Sequence, residues 1–187
     1  MRNDENLKGA ELNTWFNNKL KSGEFGERQI IKHMIDKGWT ILETNNGSEW
    51  DIRAINKEGK EYTVEVKSNI FEFKNHWNPL VVIETESNGI PSGLSTTTAD
   101  LYILYYPFEQ FFFIEKTEDL RKMIKDNHFA ITTGGRKDLA KMYQIDRAYF
   151  KNKVSLNFMD YLDEDTKNQE WWTWYEYKYL NNPINLF

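Results

Sequence analysis

The sequence predicts an α/β (α+β) protein in which helices flank a central mixed β-sheet, and three observations support this class. The periodic segments run in the order helix, several short strands, helix. The 187 residues are 40% hydrophobic and 28% charged, which is typical of a folded globular protein with one core. The chain contains no internal repeat or interdomain linker. We therefore expect a single domain over residues 1–187, with a core motif region at 23–115 and a helical, aromatic C-terminal elaboration at 116–187.

Two helices are predicted. The first, over residues 11–37, is expected in two parts, because the glycine-containing stretch KSGEFG separates two segments with helical apolar spacing. Gly38 is a typical C-terminal stop. The stretch TEDLRKMIKDN predicts the second helix, with Thr117 as its N-cap.

Short apolar runs bounded by turn residues predict the strands. These runs are WTILET, residues 50–55 and 61–68 around the turn NKEGK, PLVVIETE, ADLYILYY and QFFFIEK. Residues 139–163 fit neither pattern clearly. The aromatic tail QEWWTWYEYKYL is expected to pack in a core or at a subunit interface.

Composition narrows the function. The chain has no cysteine, which excludes disulfides and thiolate metal sites. It has neither a signal-peptide pattern nor an apolar run of membrane-spanning length, so we expect a cytoplasmic protein with no membrane partner. Its many Asn, Lys, Ile and Tyr residues suit an AT-rich bacterial or phage genome, so the cytoplasm is expected to be that of a bacterium or an infected host cell. The net charge is −5, but segment 134–153 carries six basic and two acidic residues. One basic surface on an acidic body is therefore expected.

The turn between the second and third strands determines which side chains face each other. If residues 57–59 form a three-residue loop with Gly59 in the left-handed conformation, the strands pair symmetrically about residue 58. Asp51 then lies opposite Glu65, and Lys67 shares their face because strand side chains alternate. The opposite, core-facing side carries Trp50, Ile52, Val64 and Val66.

Two opposed carboxylates repel each other in a plain sheet, and a divalent cation removes that conflict. Mg²⁺ takes one or two carboxylates and leaves positions for water and phosphate oxygens. A nearby ammonium, here Lys67, can orient water or offset charge that develops on a phosphate. The pattern therefore predicts metal-assisted hydrolysis of a phosphodiester.

Asp51 followed by Glu65-Val66-Lys67 resembles the motif of the PD-(D/E)xK nuclease superfamily, which has the restriction-endonuclease-like fold. Members often carry a glutamate on the helix before the first core strand, and Glu27 stands at that place. The match covers residues 23–68, with Trp50 where a proline is common. The resemblance implies Asp51, Glu65 and Glu27 as ligands of Mg²⁺ or Mn²⁺, and Lys67 as the catalytic lysine.

Other side chains are candidates for nucleic-acid contact. The loop SGLSTTTAD offers the hydroxyls of Ser95, Thr96 and Thr97, which either touch phosphates or cap a neighbouring element. The basic segment adds further candidate backbone contacts: Arg136, Lys137, Lys141 and Arg147. Glu84 and Glu86 alternate on the strand after the motif and are expected to face solvent.

The sequence thus predicts a divalent-metal-dependent endonuclease that hydrolyses DNA. Two alternatives stay open. One is a Holliday-junction or other structure-selective resolvase of the same fold, which would act as a homodimer. The other is a catalytically inactive module that binds nucleic acid or protein. RNA is also open as a substrate, because no residue pattern indicates recognition of a 2′-hydroxyl.

Overall fold

The computed structural model describes residues 9–45, 47, 49–69, 80–134 and 139–161. Its two helices are α1 (Gly9–Asp36) and α2 (Thr117–Asp126). Its strands are β1 (Thr40–Thr44), β2 (Ile52–Ile55), β3 (Glu61–Ser68), β4 (Leu80–Ser87), β5 (Ile90–Pro91), β6 (Leu101–Tyr106), β7 (Phe111–Lys116), β8 (Ala130–Gly134), β9 (Ala140–Asp146) and β10 (Lys153–Ser155). Among these residues, no helix is long and apolar enough to cross a membrane.

The strands form two sheets, and the fold is α+β, as predicted. The larger sheet has the order β1-β2-β3-β6-β7-β10, and it is mixed because β3 and β6 run parallel while its other neighbours are antiparallel. The smaller sheet has the order β5-β4-β9-β8 and is antiparallel. The sequence predicted one central sheet, so the second sheet is a correction. β4 does not join the larger sheet, which contains the motif strands β2 and β3. It pairs instead with β9, which begins more than fifty residues later in the chain.

Two apolar clusters lie on the two faces of the larger sheet. One packs α1 against β2, β3 and β6, and it contains Phe25, Ile30, Val64 and Val66. The other packs β6 and β7 against the smaller sheet and α2, and it includes Val81, Ile83, Tyr102, Leu104, Leu120 and Ile145. The central strands are therefore covered on both sides, as expected for the middle of a layered fold.

Helix α1 is continuous, so the predicted break at KSGEFG is wrong. Gly26 is buried inside the helix, where an added Cβ would overlap the Ser68 side chain and contact Tyr105. The glycine thus serves close packing between α1 and the end of β3, not a turn. The predicted stop is confirmed, because Gly38 has a φ of +81° just after the helix.

The β2–β3 hairpin matches the predicted register. Ile52 faces Val64, and Ile55 faces Glu61, so the facing residues sum to 116. Gly59 has a φ of +79°, the left-handed conformation that the three-residue loop requires. The Asn56 side chain accepts hydrogen bonds from the backbone N–H groups of Glu58 and Lys60 at 3.1 and 2.9 Å.

Two smaller expectations differ from the structure. Lys116 is the N-cap of α2, and Thr117 is the first helical residue, with no hydrogen-bond partner for its Oγ1. The described part of the expected C-terminal elaboration contains α2 and the strands β8, β9 and β10, so it is not purely helical. The aromatic tail that follows residue 161 lies outside the described residues.

Candidate metal and nucleic-acid site

Asp51 lies in a bend immediately before β2, where that strand separates from β3. Its backbone N–H donates to the Val64 carbonyl at 2.9 Å, and its Oδ2 accepts from the Val66 N–H at 2.7 Å. The Asp51 side chain therefore accepts the hydrogen bond that a backbone carbonyl would accept if β2 continued alongside β3. The predicted Asp51–Glu65 cross-strand pair does not form in the ladder, yet the carboxylate lies beside β3 and is only 9% exposed.

Glu65 lies in the middle of β3, and its carboxylate is held from both sides. The Lys67 ammonium forms an ion pair with Oε1. The Thr97 hydroxyl lies 3.2 Å from Oε2 and can donate to it. Glu65 is 5% exposed, whereas the Lys67 side chain is 47% exposed, so the pair joins a buried carboxylate to a side chain that solvent can reach.

Glu27 approaches the same group from α1. Burial, followed by the negative charge of Asp51, raises the pKa of Glu27 to about 7. Burial and the neighbouring Glu65 raise the pKa of Asp51 to about 6, although the Val66 N–H opposes this. Partial burial favours the neutral amine of Lys67, but the Glu65 carboxylate outweighs it and raises the pKa of Lys67. The structure thus brings together all four residues of the predicted catalytic group.

The donor chemistry fits a hard divalent cation. Asp51 and Glu65 supply carboxylate oxygens, which Mg²⁺ prefers, and one or two carboxylates with waters are a common protein contribution to its coordination. Within the described part of the chain, no group of three or more acidic or histidine side chains is close enough to enclose an ion. A two-carboxylate site, with Glu27 beside it rather than in it, is therefore the arrangement that these residues fit.

The loop of residues 92–98 contacts both Glu65 on β3 and the segment just before β2. Thr97 is 1% exposed, and its hydroxyl also lies 2.7 Å from the Glu49 carbonyl. Arg121 on α2 donates to the carbonyls of Leu94 and Thr97 and so fixes the loop. Arg121 could not be identified from the sequence, because its position in an amphipathic helix does not indicate that it contacts a distant loop.

The predicted nucleic-acid contacts occupy different environments. Ser95, Thr96 and Lys141 are exposed, which suits contact with a ligand. Thr97 does not fit this prediction, because it is buried behind Glu65. Arg136 and Lys137 lie outside the described residues.

Arg147 also does not fit the prediction of a phosphate contact. Its side chain is 8% exposed and binds both carboxylate oxygens of Glu109, at 2.6 and 2.8 Å. The guanidinium also lies over the rings of Tyr106 and Phe111. Breaking this buried pair to reach a phosphate would leave the Glu109 carboxylate without it, so Arg147 is structural.

Glu84 and Glu86 lie on β4 in the smaller sheet, half-buried rather than facing solvent as predicted. Glu84 accepts a hydrogen bond from the Ser92 hydroxyl at 2.7 Å. It therefore ties β4 to the loop of residues 92–98.

No protein-family model matches the chain, and no curated protein matches it. Among solved structures, the chain is similar to a bacterial homing endonuclease, with 15% sequence identity and a TM-score of 0.42. The similarity covers 80% of each chain. These values are too low to assign a family.

Proposed function

We propose that this protein is a divalent-metal-dependent endonuclease that hydrolyses phosphodiester bonds in DNA. One observation carries the proposal: Asp51 and Glu65, nearly excluded from water, stand beside Lys67, whose ammonium pairs with Glu65 and whose side chain is half exposed. Burying acidic groups costs free energy unless they are compensated, and adjacent carboxylates increase that cost. A cation between them offsets the cost and supplies a reason for the arrangement.

Asp51 and Glu65 would hold Mg²⁺ or Mn²⁺. When bound, such an ion polarises the phosphodiester and lowers the pKa of a bound water. Thr97 and the Val66 N–H each engage one oxygen of these carboxylates and orient them toward the site. Lys67 can donate to a phosphate oxygen or orient the attacking water, because its side chain is half exposed and its ammonium lies at the Glu65 carboxylate.

Glu27 would support the site from α1. With a pKa of about 7, it exchanges its proton near neutral pH and can donate or accept a hydrogen bond there. The exposed Ser95, Thr96 and Lys141 provide hydroxyl and ammonium groups for the DNA backbone.

A cleavage assay tests this function. Supercoiled and linear DNA, with a matched RNA, would be incubated with the protein in Mg²⁺, in Mn²⁺ and in excess chelator. We expect metal-dependent cleavage of DNA that Glu65→Gln and Lys67→Ala each reduce by at least about 100-fold. Glu61→Gln is the matched control, because Glu61 is an exposed acid on the same strand with Arg53 as its partner.

Each variant must first show the circular dichroism spectrum of the parent. Cleavage that persists in chelator, or that Glu65→Gln leaves intact, contradicts the proposed metal site. Cleavage of RNA alone contradicts the proposed substrate while leaving the chemistry in place.

A further inference from the structure

A cavity of about 540 Å³ opens between β4, β9, α2 and the loop of residues 92–98. Its volume lies within the roughly 300–1,000 Å³ that is common for small-molecule sites. Leu94, Ile124 and Tyr143 supply its apolar surface. This combination of apolar side chains and one aromatic ring suits a flat, partly apolar group such as a nucleobase.

Cationic and hydroxyl groups line the same cavity. Arg121 and Lys141 contribute two positive charges, Ser95 a hydroxyl, and Glu86 one negative charge. Lys141 and Glu86 are neighbours across the β4–β9 pair, close to an irregularity in its register. The cavity therefore has a net positive lining, which favours an anionic ligand.

Arg121 lines the cavity, and its contacts to the loop do not use all of its guanidinium nitrogens. Its Nε and Nη2 hold the Leu94 and Thr97 carbonyls. Its Nη1 lies 3.8 Å from the Glu118 carboxylate, which is beyond hydrogen-bond distance. A phosphate oxygen in the cavity could take that donor without displacing the contacts that fix the loop.

The cavity lies one short loop away from the proposed catalytic group. Ser95 lines it, and Thr97, two residues later, contacts the Glu65 carboxylate. Two residues span at most about 7 Å, and stacked nucleotides rise about 3.4 Å each along one strand. Ser95 and Thr96 are exposed on this loop, so a strand that crosses it with a phosphate near Glu65 has a neighbouring nucleotide within reach of the cavity.

From these observations, and resting on the proposed function, we infer that the cavity binds one unpaired nucleotide of the strand that is cut. The base packs against Ile124, Leu94 and Tyr143, and its phosphate contacts Arg121 and Lys141. The substrate class this implies is DNA with a single-stranded nucleotide beside the scissile bond, because a base inside a duplex must first be unpaired and unstacked, whereas an unpaired base enters the cavity without that cost.

The test is a titration of the full chain with the trinucleotide pTpTpT in excess chelator, where no metal-dependent cleavage occurs. Methyl NMR reads the signals of Ile124 and Leu94, which lie in the cavity. We expect saturable shifts of both signals. Lys141→Glu should weaken the apparent affinity by about tenfold, the effect of losing one close charge contact.

Two variants serve as controls. Lys125→Glu makes the same charge change at an exposed α2 position that does not line the cavity, and it should leave the affinity unchanged. Lys141→Gln removes the charge without adding repulsion toward Glu86, and it should give a smaller loss of about threefold.

Shifts that are absent up to millimolar trinucleotide, or that Lys141→Glu and Lys125→Glu weaken equally, overturn the inference. Inorganic phosphate that reproduces the shifts at the same affinity also overturns it, because the cavity would then take an anion without a base. The outcome can be separated from that of the nuclease proposal. If the protein cuts DNA but shows no such shifts, only the proposed role of the cavity is wrong. If it shows the shifts but does not cut DNA, only the proposed reaction is wrong.

Discussion

The two faces of strand β3 bury chemically opposite side chains at its centre. Toward α1, Val64 and Val66 are 0% and 5% exposed and belong to a wholly apolar cluster. Toward the smaller sheet, Glu65 is also 5% exposed, and it lies beside Tyr102 of β6 in the sheet register. The same strand therefore buries valine on one side and a carboxylate on the other.

The two faces contribute to the free energy of folding with opposite signs. Each buried valine contributes roughly 1.5–3 kcal/mol through burial of apolar area. A buried carboxylate costs free energy unless hydrogen bonds and charges compensate it. Lys67 and Thr97 provide that compensation for Glu65, and the Val66 N–H provides it for Asp51. We infer that the polar face is retained for chemistry and the apolar face for stability.

The largest expected effect comes from changing one residue on each face. Glu65→Gln keeps the side-chain shape but removes a carboxylate ligand, so we expect at least about a 100-fold loss of metal-dependent cleavage with little loss of stability. Val64→Ala should lower the free energy of unfolding by about 1–3 kcal/mol, because it leaves a cavity at a fully buried site. Its cleavage rate per folded molecule should stay close to that of the parent.

Urea unfolding and initial cleavage rates, measured on the same preparations, check whether one variant loses mainly activity and the other mainly stability. Loss of both stability and activity in both variants would contradict the division between the faces. It would also indicate that the buried carboxylate is needed for folding.

The next effect concerns Thr97, which holds Glu65 without facing solvent. Thr97→Val removes the hydroxyl and keeps the shape, so the carboxylate loses one oriented contact. We expect the apparent affinity for Mg²⁺ in the cleavage reaction to fall by about 10–100-fold, as for other residues that orient metal ligands. Thr97→Ser should restore most of the affinity.

A shift in metal dependence distinguishes positioning from general damage. If Thr97→Val lowers the maximal rate but leaves the Mg²⁺ dependence unchanged, the hydroxyl does not orient Glu65. Thr97 would then support only the loop, through the Glu49 carbonyl and the Ala99 N–H.

The sequence predicted the parts of the site that depend on local geometry. The turn at Gly59 and the alternation of β3 set the register, and the charged motif could be read from them. The sequence did not reveal that the motif face is covered. That coverage depends on pairing between β4 and β9, and nothing local to either strand specifies its distant partner.

The same limit explains the errors among the basic residues. Arg147 looked like part of a solvated basic segment, but its environment is set by Glu109 and two aromatic rings from β6 and β7. Arg121 was not singled out from the sequence, although it fixes the loop at Thr97. Single-residue patterns carry charge and spacing, but not the identity of a long-range partner.

Two glycines in α1 offer a matched pair of smaller effects on stability. An alanine Cβ at Gly23 would meet no atom within 4 Å, and alanine favours a helix over glycine by about 1 kcal/mol. Gly23→Ala should therefore stabilise the protein by roughly 0.5–1 kcal/mol. Gly26→Ala should destabilise it by roughly 1–3 kcal/mol, because the methyl group overlaps the Ser68 side chain.

Urea unfolding of both variants measures the change in the free energy of unfolding, which should be positive for Gly23→Ala and negative for Gly26→Ala. Gly26→Ala that is as stable as Gly23→Ala would contradict close packing of α1 on β3. The variant should also reduce cleavage, because the same contact sets the approach of Glu27 to the site.

The smallest effect is a pH dependence that comes from Glu27. Its pKa is about 7 in the folded chain against an ordinary value of 4.5, so the fold favours the protonated form. The resulting contribution to stability is complete below about pH 4.5 and is lost as the pH rises through about 7. In excess chelator, the free energy of unfolding should therefore fall between about pH 4.5 and about pH 7, and Glu27→Gln should make this fall shallower. Asp51, whose pKa is raised from 3.8 to about 6, contributes to the same fall in its lower part, up to about pH 6. Mg²⁺ should make the free energy of unfolding of the parent less dependent on pH, because a bound cation favours the ionised forms of the Glu27 and Asp51 carboxylates. A parent slope equal to that of Glu27→Gln, with and without Mg²⁺, would mean that Glu27 is solvated and takes no part in the acidic group, leaving Asp51, Glu65 and Lys67 to act without it.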